Sequence, residues 1–347
     1  MFNYADLKKN TKPYVIAEIG ANHNGDIELA KKIIDEAVRC GADCVKFQSW
    51  SKDSIFSKKT YEDNFFLSDD YRNRTDYTLE QIFDKYHINV QQHIELKHYC
   101  DQKGIEFNST PFSKKEVDLL VDELNVPFIK VASMDLNNIP FLKYIATKKK
   151  PVVISTGLCG LSEINNAIEC LEKAGCNEIV LLHCVSIYPP VDEEVNLNNI
   201  DMLWNNFGYP VGYSDHTIGI VAPIMSLAKQ VKIIEKHFTI DKNMEGWDHK
   251  ISADPYELET ICKAVSEGYK MNGSYRRHVY ESQERRNAFQ RSIVAAKRIE
   301  KGQVIKEEDI DFKRPGIGIS PQYYEFVVGK TAKRDIEYDE IIKMEDF

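Results

Sequence analysis

Between residues 14 and 273 the chain alternates short runs of β-type residues with longer runs whose apolar positions recur at helical spacing. The β-type runs are 14–20 (YVIAEIG), 44–50 (CVKFQSW), 106–112 (EFNSTPF) and 128–133 (FIKVAS). Four more follow at 151–157 (PVVISTG), 179–186 (IVLLHCVS), 210–216 (PVGYSDH) and 233–239 (IIEKHFT). Between them, DIELAKKIIDEAVRCG keeps its apolar residues on one helical face and closes on glycine, a C-terminal stop signal. LSEINNAIECLEKAG repeats the design, with Ser162 as the expected N-cap. Eight such units in about 260 residues predict an α/β fold, a (β/α)8 TIM barrel. A doubly wound sheet is the alternative. It has fewer units and a glycine-rich phosphate turn, and neither G-x-G-x-x-G nor a Walker motif occurs here.

Two stretches break the rhythm. Residues 51–88 are too long for a simple β/α loop and follow the C-terminal end of the second strand. Barrel enzymes keep their active sites at that end, so a lid is expected there, with a peripheral decoration as the plainer alternative. After residue 273 the composition changes. Residues 274–290 are charged and poorly apolar, the profile of a linker. Residues 291–347 carry short β-type runs, glycine turns at Gly302 and Gly316 and no long helical run. They predict a small β-rich domain, too small for a strong core alone, which packs against the barrel or a partner.

The polar positions inside the strands carry the chemistry. In IIEKHFTID the apolar residues of a buried strand surround Glu235, Lys236 and His237. Three buried ionisable groups cost several kcal/mol unless each has a partner. Side chains alternate along a strand, so Glu235 and His237 share a face and Lys236 takes the other. In YSDHT, Ser214 and His216 share a face and Asp215 opposes them. Two adjacent strands thus each project a histidine at the catalytic end, a pairing that suits a divalent transition metal. Glu235, one layer deeper, is placed to hold a metal-bound water. Glu18 ends the first strand; Lys46 and Gln48 lie on the second, Thr110 on the third, and Lys130 and Ser133 on the fourth. Ser155 and Thr156 end the fifth, and Ser186 and Tyr188 follow the sixth. A lysine inside an apolar strand needs an anion, and two lysines with several hydroxyls form a cradle for phosphate and carboxylate. Barrel lysines also allow Schiff-base chemistry, which the histidine pair weighs against because that chemistry needs no metal.

The 347 residues are 43% hydrophobic and 29% charged, as in ordinary globular proteins. No apolar run reaches the ~18–20 residues of a membrane span, and the first residues lack the order of a secretory signal. A cytoplasmic location is therefore expected, with the eight cysteines as reduced thiols rather than disulfides. A net charge of −9 argues against nucleic acid as a partner.

The motifs IAEIGANHNGD, GADCVKFQ, STPF, KVAS, ISTGL, LLHCVSIYP, GYSDHT, IEKHFT and WDHKISADP occur together and in order. Jointly they resemble the sialic acid synthase family, the nonulosonate synthases that condense phosphoenolpyruvate with an acylated amino sugar. AAKRIEKGQVIKEEDIDFKRPGIGI resembles the antifreeze-like (SAF) domain that follows such barrels. The resemblance implies phosphoenolpyruvate binding by Lys46, Thr110, Lys130, Ser133, Ser155, Ser186 and Ser214, and a Mn2+ ion, with Mg2+ or Co2+ as alternatives, on His216 and His237. It implies Glu18 as the base for a water molecule, and sugar contacts from Gln48, Asp135, Tyr188 and Asp248. It further implies a domain-swapped homodimer in which Arg314 reaches a neighbour's sugar. Three residues depart from frequent family choices, Ser186 for asparagine, Asp135 for glutamate and Trp247 for proline. All lie near the sugar or carboxylate, so N-acetylmannosamine and the diacetamido-trideoxyhexoses of legionaminate and pseudaminate synthesis stay open. A synthase of 3-deoxy-ulosonate phosphates is the nearest enzyme rival. It needs a further basic site, for which the insertion offers Lys58, Lys59, Arg72 and Arg74. A non-catalytic carbohydrate- or ice-binding protein is the rival from another class, and it has no use for such a barrel mouth.

Overall fold

A computed structural model of the chain describes residues 1–9, 11–63 and 78–347. Contacts divide it into two units, Met1–Gly273 and Ser274–Phe347.

The first unit is built on eight parallel strands: β1 (Tyr14–Gly20), β2 (Cys44–Ser49), β3 (Glu106–Pro111), β4 (Ile129–Val131), β5 (Val152–Ser155), β6 (Ile179–His183), β7 (Val211–Asp215) and β8 (Ile233–His237). Their order, β3-β2-β1-β8-β7-β6-β5-β4, is that of a (β/α)8 barrel. At the seam between β3 and β4 the buried Asn108 amide donates to Phe128 O at 3.0 Å.

Strand alternation sorts the residues into two layers. Val15, Ala17 and Ile19 of β1 join the shell between strands and helices, while Tyr14 and Ile16 point into the barrel. Ile16 packs there with Cys44, Phe128, Val153, Val180, Leu182 and Ile233, which fill the lower lumen. A helix at Tyr4–Leu7, not anticipated from the pattern, adds Tyr4 and Leu7 to this cluster. The next inward positions above this apolar floor are Glu18, Lys46, Lys130, Ser155, Ser214 and Glu235, all buried. The floor thus confines polar groups to the C-terminal mouth.

The outer helices obey their sequence signals. Ile27–Cys40 is capped by Asp26, whose carboxylate accepts from Glu28 N, and stops at Gly41 with φ of 87°. It buries Ala30, Ile33, Ile34, Ala37 and Cys40. One cap differs from expectation: the helix Leu161–Lys173 starts from Gly160 instead of Ser162, because Glu163 accepts the Gly160 N–H at 2.9 Å. All eight cysteines are unbridged. Among the described residues no helix is long and apolar enough to cross a membrane.

The insertion contains helices Lys52–Ile55, Lys58–Asp63 and Leu79–Tyr86. Trp50, at the end of β2, anchors it, with ring centroids 5.6 Å from Phe83 and 6.4 Å from Phe112. Residues 64–77, the centre of the expected lid, lie outside the described residues, and Arg72 and Arg74 with them.

In the second unit β9 (Ser292–Ala295) pairs antiparallel with β10 (Ile310–Lys313). Ile293, Ile299, Ile305, Ile336 and Ile342 form its core. The stretch 274–290, read as a linker, contains the helix Gln283–Phe289, capped by Ser282 and burying no residue.

Candidate active site

Four buried charges meet in the barrel mouth. Lys46 Nζ on β2 lies 2.5 Å from Glu18 Oε2 on β1 and 3.6 Å from Glu235 Oε2 on β8. Lys130 Nζ on β4 lies 3.9 Å from Glu235 Oε1. Hydroxyls complete the set: Lys46 donates to Thr110 Oγ1 at 3.0 Å, Lys130 to Ser155 Oγ at 2.6 Å, and Ser214 Oγ to Glu235 Oε1 at 2.9 Å. Gln48 Nε2 donates to Glu18 Oε1 at 3.2 Å.

This packing drives the two carboxylates apart in acidity. Burial raises Glu18, Lys46 opposes and Glu235 reinforces, and its pKa is pushed up to about 7. Burial also acts to raise Glu235, but Lys130, Lys46 and the Ser214 hydroxyl outweigh it, and the pKa falls to about 2. Burial lowers Lys130. It would lower Lys46 too, but the two carboxylates flanking that lysine raise it. One permanent anion, one carboxyl that titrates near neutrality and two amines are thus set side by side.

Above the tetrad stand the histidines. His216, one residue past β7, and His237, the last of β8, have ring centroids 5.8 Å apart. His216 Nδ1 bonds to Val185 O at 2.7 Å, which leaves Nε2 for another partner. His237 Nδ1 is buried without a hydrogen bond, and Asp248 Oδ2 lies 3.8 Å from it. Burial lowers the pKa of both imidazoles, and for His237 the neighbouring His216 adds to it. Tyr188 lies 4.2 Å from His216 and edge-on to His237 at 6.3 Å, centroid to centroid. Gly20, with φ of 53°, makes the close approach possible: a Cβ there would meet Glu18 Oε1 at 3.3 Å and His237 Cε1 at 3.5 Å.

Neutral buried imidazoles with open ring nitrogens, one of them orphaned, fit a divalent transition metal. Among the described residues no group of three or more His, Cys, Asp or Glu side chains is placed to hold an ion. His216 and His237 are the described side chains that would hold such an ion.

A second cluster borders Lys130 and Ser155. Ser133 Oγ touches Cys184 Sγ at 3.3 Å, and Gly157 N donates to Cys184 Sγ at 3.2 Å. A Cβ on Gly157 would lie 2.3 Å from Ser186 Oγ and 2.9 Å from Ser133 Oγ. Two hydroxyls and a thiol thus converge on one glycine. The sequence pattern marked the serines but not Cys184 or Gly157, since a buried thiol after an apolar strand reads as core. Asp135 stands apart, half-buried, accepting from Asn138 Nδ2 at 3.1 Å within its own turn. Arg314 belongs to the second unit, where its guanidinium lies 5.2 Å from the centroid of the Phe289 ring.

On the outer side of the strands, Lys236 pairs with Asp215 at 2.6 Å, both side chains fully buried. The alternation deduced from the sequence therefore holds, and Lys236 has its counter-charge outside the lumen.

Residues 33–277 match the NeuB family and residues 290–347 the SAF domain. The N,N'-diacetyllegionaminic acid synthase of Campylobacter jejuni is 39% identical over 335 residues, covering 96% of this chain and 99% of that protein. A pseudaminic acid synthase of the same species is 32% identical over 342 residues, covering 99% and 98%. Among solved structures, the N-acetylneuraminic acid (sialic acid) synthetase of Leptospira borgpetersenii superposes with a TM-score of 0.70 at 32% identity. That match covers 79% of this chain and 90% of the other.

Proposed function

The chain belongs to the NeuB family of sialic acid synthases and ends in a SAF domain, and from that premise we propose that it joins phosphoenolpyruvate to an open-chain diacetamido-trideoxyhexose. The products are a nonulosonic acid and phosphate. It is a phosphoenolpyruvate-dependent transferase that forms a carbon–carbon bond. The sugar class follows the 39% identity to the legionaminic acid synthase. N-acetylmannosamine is the other sugar to be compared.

The observation that carries the reading is the tetrad: two buried ammonium groups that two carboxylates hold in the mouth of a barrel. Lys46 and Lys130 receive the anionic groups of phosphoenolpyruvate, with Thr110, Ser133, Ser155, Ser186 and Ser214 as hydroxyl donors. Glu235, ionised throughout the neutral range, keeps both lysines in place between turnovers. Carbon 3 of the enol attacks the sugar aldehyde, water adds at C2, and the C–O bond to phosphate breaks. Glu18 takes the proton of that water, and its pKa near 7 suits a base that must also release the proton. Gln48 orients Glu18 and, with Asp135, Tyr188 and Asp248, faces the sugar. His216 and His237 would hold a divalent ion, Mn2+ in the first instance, which when bound would supply Lewis-acid polarisation of the aldehyde.

A second chain completes the assembly in this reading, and the protein acts in the cytoplasm. The loops after β4–β7 expose Met134, Leu158, Ile187, Val191, Ile218 and Val221, an apolar half-rim that supports a protein partner. In a homodimer, Arg314 of one chain serves the sugar of the other.

The test is phosphate release from phosphoenolpyruvate with a panel of free and phosphorylated acylated hexosamines, with and without Mn2+. Release is expected with a free diacetamido-trideoxyhexose and Mn2+, and its loss in folded His237→Ala. Release with no sugar of the panel overturns the assignment, and a preference for phosphorylated aldoses favours the 3-deoxy-ulosonate phosphate rival.

A further inference from the structure

We propose that the Asp215–Lys236 pair, on the outer side of β7 and β8, is a positioning device that fixes His216 against His237. The inference rests on the reading of these two histidines as a divalent-metal site.

The backbone ladder between β7 and β8 pairs Tyr213 with Ile234, Ser214 with Glu235 and Asp215 with Lys236, and stops there. His216 is the first residue beyond it, whereas His237 is still inside β8 and paired with Glu18 of β1. Past His237 the chain is held on both sides, since Phe238 N donates to Glu18 O at 2.8 Å and Ala253 N to His237 O at 2.7 Å. Past Asp215 no ladder bond ties the chain to β8, and side chains take over. Lys236 Nζ donates to Asp215 Oδ2 at 2.6 Å and also to Thr217 O. Asp215 Oδ1 accepts from Thr217 N at 2.9 Å and from Tyr213 OH at 2.8 Å. Thr217 Oγ1 closes the network on Asp215 Oδ2 at 3.1 Å.

Both polar groups of the Thr217 backbone, directly after His216, are therefore gripped by residues directly before each histidine. The two charges satisfy each other, so what the pair adds beyond its own neutralisation is its hold on the Thr217 backbone. This hold sets where the backbone leaves β7, and with the Val185 O bond on the ring it leaves His216 one orientation. Groups that orient metal-ligating histidines change metal affinity by roughly 10- to 100-fold when removed.

The experiment titrates the metal-stripped, full-length protein with Mn2+, following the free ion by electron paramagnetic resonance, with thermal unfolding alongside. Asp215→Leu/Lys236→Met removes both charges together but takes partners from Thr217 N and O and from Tyr213 OH, so the melting temperature is expected to fall, and binding is read at a temperature where the variant is folded. Its Mn2+ affinity is expected to fall by about tenfold or more. Lys236→Met alone strands the Asp215 carboxylate and lowers both. Wild-type Mn2+ affinity in the folded double variant overturns the positioning role and leaves the metal reading intact. Failure of the wild type to bind Mn2+, or undiminished binding by His237→Ala, overturns the metal reading and this inference with it. If the double variant does not fold, Tyr213→Phe decides. It keeps the ring, removes one donor to Asp215 and is expected to weaken Mn2+ by about threefold. Unchanged binding there contradicts the proposal.

Discussion

Glu18 and Glu235 share Lys46, at 2.5 and 3.6 Å, yet their environments assign them opposite protonation behaviour. Glu235 has a second lysine within 3.9 Å and a hydroxyl; Glu18 has the Gln48 amide besides its share of Lys46. In the proposed reaction Glu18, with its pKa pushed up to about 7, is therefore the proton acceptor. A base works deprotonated, so activity is predicted to fall as pH drops through about 7 and to level off above it. Glu18→Gln should lower kcat by roughly 10²- to 10⁴-fold and flatten that acidic limb, as read from a pH–rate profile. An unchanged limb would assign the titration to another group. At this scale the sequence was informative because strand alternation is strict: it separated Glu235 and His237 from Lys236 without knowledge of the fold. It could not show that Glu18 and Glu235 compete for one lysine, since that depends on distances across three strands. Nor could it show that Asp135, expected at the sugar, accepts from Asn138 within its own turn.

The strands themselves were placed well at their starts and too long at their ends. The runs ending at 133, 186, 216 and 239 stop in the structure at Val131, His183, Asp215 and His237. The polar–apolar alternation continues past the last ladder bond, while the backbone has already turned to carry Ser133, Ser186 and His216 around the mouth. Residue pattern records which side chains are buried; ladder hydrogen bonds are a matter of what lies alongside. The same limit hid the helix Tyr4–Leu7, too short for a periodic pattern to mark. Gly157 belongs to this scale, because the β5 loop needs its missing side chain where Ser133 and Ser186 converge. Gly157→Ala should leave the protein folded, since serine hydroxyls can rotate away from the new methyl. That rotation removes two donors, so KM for phosphoenolpyruvate should rise by about tenfold in steady-state assays. An unchanged KM would remove both serines from the phosphoenolpyruvate site.

The whole chain divides into a barrel and a small unit, and the change of composition after residue 273 falls at the end of the first unit, Gly273. What sequence could not supply was the helix Gln283–Phe289 inside the expected linker, because its polar residues bury no face. The apolar half-rim after β4–β7 was equally illegible, as its residues are scattered over four loops. If it is covered by a second chain, sedimentation velocity should give twice the chain mass, and Arg314→Ala should raise KM for the sugar by about tenfold with KM for phosphoenolpyruvate unchanged. A monomer with full activity would remove the partner from the site. In the proposed condensation water attacks C2 and the carbon–oxygen bond to phosphate breaks. Phosphoenolpyruvate carrying 18O in the bridge between carbon and phosphorus tests it most directly, with the phosphate read by 31P NMR. The label is expected to leave with phosphate in the presence of sugar and Mn2+. Unlabelled phosphate would mean cleavage at phosphorus and would contradict the proposed condensation.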